Sequence, residues 1–187
     1  MKQEMVKMEI VRINNKIEYK RIKSLYLEAF PKVERAPFLL LKRRAKKNKA
    51  DVLNFVDNGE WLGFAYVISD EYLAYLFYFA IDSRFRGKGY GSEAIRRIMD
   101  YYKEKKLFLA LEDWRDASDN PDQRNRRHMF YKKNGLKVLP YRLKEAGMIY
   151  AMMGACERIE PNEYKAMING WLGWPLKLMD DMKIIIE

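Results

Sequence analysis

Three glycines at alternate positions have the clearest chemical meaning in this sequence: Gly87, Gly89 and Gly91. They stand between an apolar run and an amphipathic run, where a strand would pass into a helix. Glycine lets the backbone approach a ligand closely, so that consecutive N–H groups and a helix N-terminus can bind phosphate oxygens. Three cations precede or separate them: Arg84, Arg86 and Lys88. The sequence therefore predicts a diphosphate-binding turn.

Two other phosphate-binding motifs can be compared with this turn. A Walker loop needs Ser or Thr after its lysine, and Lys88 is followed by Gly89, so that motif is excluded. A dinucleotide fingerprint needs its third glycine one position later than Gly91, although Glu112 follows at about the distance of a ribose-binding carboxylate. A dinucleotide-binding domain normally starts with this motif, whereas helices and a strand meander are predicted before it here. A dinucleotide-dependent oxidoreductase stays an alternative at this point.

The elements that must position the turn follow from the apolar pattern. Strands are predicted over 8–13, 51–57, 61–69, 72–81, 107–111, 136–143 and 148–154. Helices are predicted over about 17–30, 38–47, the segment after Gly91, 122–133 and 161–168. Antiparallel hairpins followed by one strand–helix–strand crossover predict a mixed α/β (α+β) fold, with a mostly antiparallel sheet of about seven strands flanked by helices.

Length and composition favour one ordinary domain. The chain has 187 residues, of which 49% are hydrophobic, and it shows no linker or repeat. We expect a single domain over 1–187, with a core of about 8–154 and a C-terminal helix and tail over 155–187. Cys156 and the one histidine cannot form a disulfide framework or a Cys/His zinc site, so no metal is expected. The chain shows no signal peptide or membrane span, which predicts a cytoplasmic location and no membrane partner.

Two motifs in order resemble those of the GNAT acetyltransferase superfamily, in particular its small bacterial members. Residues 84–89, Arg-Phe-Arg-Gly-Lys-Gly, fit the signature [QR]-x-x-G-x-[GA]. Residues 130–136, Phe-Tyr-Lys-Lys-Asn-Gly-Leu, match the superfamily's later Tyr-x-x-x-Gly element. The order of predicted elements is also similar to this fold from about Met8 to Gly154. The resemblance implies an acetyl-CoA-dependent N-acetyltransferase that moves an acetyl group to a primary amine by direct attack in a ternary complex.

The resemblance also implies where acetyl-CoA binds. Main-chain amides of the glycine-rich turn are expected to bind its diphosphate, and the strand before the turn is expected to pair with the pantetheine arm and offer an amide to the thioester oxygen. The implied amide donors are Arg86, Gly87, Lys88, Gly89, Tyr90 and Gly91, with the Ser92 hydroxyl as a further contact. The implied strand residues are Phe79, Ala80 and Ile81.

Two side chains are implied as catalytic. Tyr131 matches the residue that protonates the coenzyme A thiolate as it leaves, and a packed structural tyrosine is the alternative. Glu112 ends the strand after the glycine-rich turn, and it is the implied base for the incoming ammonium. The sequence departs from the family pattern at Arg124 and Arg127, where many members have Asn and a small residue. An Asn contact with pantetheine is therefore not expected.

The charge balance offers a second function. The chain carries a net charge of +10, and residues 35–49 hold seven basic residues and no acidic one. The alternative function is a nucleic-acid-binding protein that uses this basic segment, or the acetylation of a nucleic-acid-associated acceptor. We expect a small-molecule or peptide amine as the acceptor, and nucleic acid is the less favoured partner. The apolar tail over 171–186 is expected to pack either on the domain or on a second subunit, and the second alternative predicts a homodimer.

Overall fold

The computed structural model describes residues 8–12, 16–116, 119–145, 147–173 and 183–186. The strands are β1 (Glu9–Arg12), β2 (Asp51–Asp57), β3 (Glu60–Ser69), β4 (Leu73–Ile81), β5 (Lys106–Glu112), β6 (Lys137–Glu145), β7 (Met148–Gly154) and β8 (Lys183–Ile186). The helices are α1 (Lys16–Ala29), α2 (Phe38–Lys46), α3 (Tyr90–Tyr101), α4 (Pro121–Lys133) and α5 (Pro161–Leu172). The chain forms two compact units, Met1–Val67 with Phe77–Asp100, and Ile68–Leu76 with Tyr101–Glu187.

The first unit contains strands in the order β1-β2-β3-β4 and helices α1, α2 and α3. β2 pairs antiparallel with both β1 and β3. Asn58 and Gly59 have φ values of 48° and 80°, as a two-residue hairpin turn requires. α1 buries Leu25 and Tyr26 on one face, and α3 buries Ile95 and Ile98. These helical faces and the apolar strands form the core of the unit.

The second unit contains strands in the order β4-β5-β7-β6-β8 and helices α4 and α5. β4 and β5 are parallel over three residue pairs, from Leu73 with Lys106 to Tyr75 with Phe108, and both strands continue beyond this ladder. β7 pairs antiparallel with β5 and β6, and β6 pairs antiparallel with β8. The rings of Tyr75 and Phe108 stack at 4.9 Å, and Tyr164 of α5 packs edge-on against both.

The architecture confirms the predicted mixed, mostly antiparallel sheet flanked by helices. The predicted boundaries shift in several places, and Ile13 at the end of the first predicted strand lies outside the described residues. β6 extends to Glu145 because its added residues pair with β7. α5 continues four residues past Ile168 to Leu172, and Gly173 follows it with a φ of 65°, which favours glycine. β8 is an additional strand in a tail to which the sequence assigned no element.

None of the helices in the described ranges is long and apolar enough to cross a membrane.

Candidate active site

The glycine-rich turn is built on an anchored strand end. The Asp82 N–H donates to the Leu62 carbonyl at 2.8 Å, which ties the end of β4 to β3. The Asp82 carboxylate accepts hydrogen bonds from the Arg84 main-chain N–H and from its guanidinium, all at 3.0 Å. These hydrogen bonds hold the pKa of Asp82 below its ordinary value. The chain therefore enters the turn in a fixed direction.

The turn presents a series of free amides. Gly87 and Gly89 have φ values of 76° and 86°, which favour glycine, and α3 begins directly afterwards at Tyr90. The first N–H of α3 bonded to a carbonyl is that of Glu93, which donates to Gly89 at 3.1 Å. Among the described residues, no oxygen accepts a hydrogen bond from the N–H groups of residues 87–92. Six consecutive donors at a helix N-terminus can bind an anion such as a diphosphate.

The predicted cations of the turn have different surroundings. The Arg86 N–H donates to Ser83, so this predicted amide donor is engaged within the turn itself. Its guanidinium donates to the Ile81 carbonyl at 2.9 Å and lies 3.9 Å from Glu28. Arg84 is paired with Asp82, as described above. Lys88 is exposed and forms no ion pair with a described residue, so its charge is the one most available to a ligand.

Asp57 is a site residue that sequence reasoning missed. Tyr90, the first residue of α3, donates its hydroxyl to Asp57 Oδ2 at 3.2 Å. Asp57 is 9% exposed, and its Oδ1 has no hydrogen-bond partner among the described residues. Burial and the Asp57 carboxylate raise the pKa of Tyr90. Asp57 directly precedes Asn58-Gly59, so its sequence context indicated only a residue of the hairpin turn. In the structure, its hydrogen bond with Tyr90 holds the start of α3 to β2.

The strand residues that were predicted to line the coenzyme lie at the C-terminal end of β4. Ala80 and Ile81 are buried, and half-buried Phe79 packs its ring against Phe55 at 5.9 Å. Gly63 of β3 lies against this segment, because a Cβ there would stand 2.9 Å from the Ile81 Cα and closer still to the Ala80 carbonyl oxygen. Only glycine permits this approach without moving the backbone.

Tyr78 connects β4 with the segment between α1 and α2. Its hydroxyl donates to the Glu34 carbonyl at 2.8 Å and accepts from the Ala36 N–H at 2.9 Å. The same ring packs edge-on against Tyr26 and Phe30 of the α1 region, both at 4.9 Å. This segment is therefore held by the residue that directly precedes Phe79.

In the second unit, Glu112 lies in a buried ion cluster. Its side chain is 7% exposed, and its two oxygens accept hydrogen bonds from Arg124, at 3.2 Å, and from Arg127. Arg124 also donates to the Asp113 carbonyl at 3.2 Å. The two arginines are three residues apart on α4 and therefore face β5 together. The positions that depart from the family pattern are thus the ones that neutralise Glu112.

The next acidic residue is neutralised in the same way. Asp113 is fully buried and accepts from the Arg115 guanidinium at 2.8 and 2.9 Å, while Arg142 lies 3.7 Å away. Burial opposes ionisation, but these hydrogen bonds and charges hold the pKa of Asp113 below its ordinary value. Both carboxylates at the end of β5 therefore bind arginine side chains of the protein.

Tyr131 lies one turn after Arg127 on α4 and is half-buried. Burial raises its pKa to about 12, while the positive charge of Arg127 acts in the opposite direction. The phenol is therefore protonated throughout the physiological pH range and can act as a proton donor. His128 is buried and stacks on Trp114, with ring centroids 3.6 Å apart, and burial lowers its pKa. His128 is therefore neutral and packed at physiological pH.

No group of three or more His, Cys, Asp or Glu side chains within the described ranges is arranged to hold a metal ion.

The comparison with family models decides the family. Residues 19–135 match the model of the acetyltransferase (GNAT) family, and this region includes both motifs and most of the elements described above. The chain belongs to the GNAT family. Membership confirms the predicted enzyme class, an N-acetyltransferase, and acetyl-CoA as its cosubstrate. It also removes the dinucleotide-dependent oxidoreductase as an alternative.

Solved structures of other GNAT proteins share the fold of this one. A Bacteroides thetaiotaomicron protein described as a GNAT-family acetyltransferase has a TM-score of 0.70 and 18% identity, over 90% of this chain and 98% of the other. The Vibrio cholerae spermidine N-acetyltransferase, solved with CoA and spermine, has a TM-score of 0.60 and 15% identity, over 79% and 94%. The Escherichia coli ribosomal-protein-S18-alanine N-acetyltransferase has a TM-score of 0.57 and 15% identity, over 83% and 97%.

The comparison with curated proteins gives no match to this GNAT chain.

Proposed function

We propose that this GNAT protein transfers the acetyl group of acetyl-CoA to a primary amine by direct attack within a ternary complex. The observation that carries this proposal is the run of free amides over residues 87–92 at the start of α3, which suits the diphosphate of the coenzyme. The neutral amine attacks the thioester carbonyl, the C–S bond breaks, and coenzyme A leaves as a thiolate. Cys156 is not required, because burial raises its pKa and disfavours a reactive thiolate.

The proposed coenzyme contacts are divided between the turn and the strand before it. The amides of Gly87, Lys88 and Gly89, followed by those of Tyr90, Gly91 and Ser92, bind the diphosphate, while the Arg86 amide serves the turn itself. Main-chain groups of Phe79, Ala80 and Ile81 pair with pantetheine, and an amide there stabilises the oxyanion. One preorganised oxyanion donor is worth about 3 kcal/mol of transition-state stabilisation.

Tyr131 is the proposed general acid. A phenol with a pKa of about 12 carries its proton at physiological pH, so a proton is present for the leaving thiolate sulfur, and the raised pKa also makes this phenol a weaker acid than free tyrosine. Tyr131→Phe removes the proton and keeps most of the ring packing. We expect kcat to fall about 10²- to 10⁴-fold with little change in coenzyme affinity. Release of free thiol from acetyl-CoA, measured over a panel of amines, gives kcat, and full activity in a folded variant would exclude this role.

Glu112 remains the proposed general base, and its arginine contacts make this role testable. Both of its oxygens accept hydrogen bonds from guanidinium groups, so it would receive the amine proton through water rather than by direct contact. If Glu112 is the base, Glu112→Gln should be most impaired near neutral pH and recover as the pH approaches the pKa of the amine. If Glu112 only holds α4 against β5, the variant should lose thermal stability and gain nothing from alkaline pH.

The remaining parts of the proposal concern partners and organisation. We propose a small-molecule or peptide amine as acceptor, which is supported by relatives that act on spermidine and on a ribosomal-protein alanine. We also propose a cytoplasmic location and one cooperative domain over 1–187. A homodimer that uses the 171–186 tail is part of the proposal, although residues 174–182 lie outside the described ranges. A monomeric mass by light scattering at micromolar concentration would exclude the dimer.

A further inference from the structure

The positive charge of this protein is concentrated in one short segment. The whole chain has a net charge of +10, and residues 35–49 contribute seven positive charges and no negative one. The other 172 residues therefore carry a net charge of only +3. The acetyl-transfer chemistry proposed above uses none of these seven side chains.

The structure places four of these cations in solvent, two in the C-terminal half of α2 and two directly after it. Leu41 packs into the core at 3% exposed, so the apolar side of the helix faces inward. After the helix, Asn48 has a φ of 54°, and the Lys49 N–H returns to the Arg44 carbonyl at 3.0 Å. This bend keeps the chain close to the last helical turn. We call the four exposed cations the α2 basic surface: Arg43, Lys46, Lys47 and Lys49.

The described residues do not neutralise the α2 basic surface. None of its four side chains forms an ion pair with a described residue. Like charges three and four residues apart repel one another along a helix, while cations near a helix C-terminus also interact favourably with the helix dipole. In α3, by contrast, both Arg96 and Arg97 pair with Glu93. Unpaired cations at this density indicate an anionic partner.

The surroundings of the surface favour one class of polyanion. Binding to a membrane surface usually needs an apolar helix face, and the exposed apolar side chain of α2 is Leu39 alone, at 77% exposed. Binding to single-stranded nucleic acid usually needs exposed aromatic rings, and Phe38 of this fully described segment is half-buried. A double helix presents phosphates on its outside and needs only cations. We propose that the α2 basic surface binds the phosphate backbone of a double-helical nucleic acid.

The salt dependence of binding follows from the number of cations. Four phosphate contacts give a slope of about −3.6 for log affinity against log salt concentration, or about a 150-fold loss between 50 and 200 mM salt. Replacing Lys46, Lys47 and Lys49 by Gln leaves about one contact. The loss over the same salt range should then fall to about threefold or fourfold.

The experiment uses the full chain and a fluorescent 20-base-pair DNA duplex, with anisotropy measured from 50 to 200 mM salt and no coenzyme present. The matched control replaces exposed Lys103, Lys137 and Lys144 by Gln, which lowers the net charge by the same three units. We expect the control variant to keep the wild-type affinity and slope and the α2 variant to lose both. The charge-conserving variant, Lys46, Lys47 and Lys49 replaced by Arg, should bind as wild type does.

Three results would overturn this inference: equal salt slopes for the wild type and the α2 variant, equal losses in the two Gln variants, or tighter binding to phosphatidylserine vesicles than to the duplex at the same salt. Thermal unfolding of each variant verifies the fold. The inference is independent of the proposed function, since acetylation of a small amine should be unchanged in the α2 variant. Absence of duplex binding with intact thiol release would count against this inference alone. Absence of thiol release would count against the proposed function alone.

Discussion

Replacement of Gly89 by alanine separates the folding role of the glycine-rich turn from its binding role. Gly89 has a φ of 86°, and an added Cβ would meet no protein atom within 4 Å. Alanine in this conformation costs about 1–2 kcal/mol through backbone strain alone. For a chain of this size, that cost lowers the Tm by roughly 2–8 °C. A loss of coenzyme affinity, in contrast, would report on the contact between the amides of the turn and the ligand.

Gly147 is the matched control for this substitution. It has a φ of 79° in the turn between β6 and β7, and an added Cβ there also meets nothing within 4 Å. Gly147→Ala should therefore show the same loss of Tm as Gly89→Ala. In Gly89→Ala, by contrast, the backbone relaxes and misaligns amides that bind the diphosphate. Loss of one charge-assisted hydrogen bond, about 2 kcal/mol, weakens binding about 30-fold.

Isothermal titration of each variant with coenzyme A gives the affinity, and differential scanning calorimetry without ligand gives the Tm. We expect a Kd at least about 30-fold higher for Gly89→Ala and an unchanged Kd for Gly147→Ala. An unchanged Kd for Gly89→Ala, with the expected fall in Tm, would refute the phosphate-binding role of the turn. Equal weakening in both variants would attribute the effect to general strain.

Three further predictions test the surroundings of the site. Asp57→Asn keeps a hydrogen-bond acceptor for the Tyr90 hydroxyl but removes the carboxylate, so we expect its coenzyme affinity to stay within about threefold of wild type. Asp57→Leu removes the hydrogen bond that holds α3 to β2 and should weaken coenzyme binding, measured by titration, by about tenfold. Equal coenzyme affinities of the two variants would exclude a positioning role for Asp57. Gly63→Ala must displace the backbone of β4, so urea unfolding should show a loss of about 2–3 kcal/mol, and an unchanged midpoint would contradict the close approach. The pKa of Asp113 is held below 3.8, so its ion pairs stabilise the protein above that pH, and this stabilisation is lost as the pH falls through the folded-state pKa. Asp113→Asn should therefore be less stable than wild type at pH 7 and should lose less stability below about pH 4. Parallel profiles of stability against pH for the two proteins would contradict the role of this carboxylate.

The sequence predicted the features that depend on local pattern. The glycine-rich turn was predicted because alternate glycines at a strand–helix junction have few other uses, and the structure places two of them at positive φ. The hairpin at Asn58-Gly59 was predicted for a similar reason. The family was predicted from two motifs in order, and the family match confirms it.

Features that depend on contacts distant in sequence were not predicted. The pairing of Glu112 with Arg124 and Arg127 joins residues 12 and 15 positions apart, and only the packing of α4 on β5 reveals it. Asp57 and Tyr90 are 33 residues apart, and neither has a local signal for the other. β8 is defined by its pairing with β6, and its four residues are too few to show a strand pattern in the sequence.

The hydroxyl of Tyr78 has a consequence for how the enzyme can diversify. Its two hydrogen bonds to the segment between α1 and α2 both use main-chain atoms, the Glu34 carbonyl and the Ala36 N–H. Main-chain groups are the same for nearly every amino acid, so substitutions at positions 34 and 36 leave this anchor in place. The segment can therefore change its side chains over evolution while its backbone stays attached to β4. Such a design allows new surface chemistry to arise without rebuilding the strand beneath it.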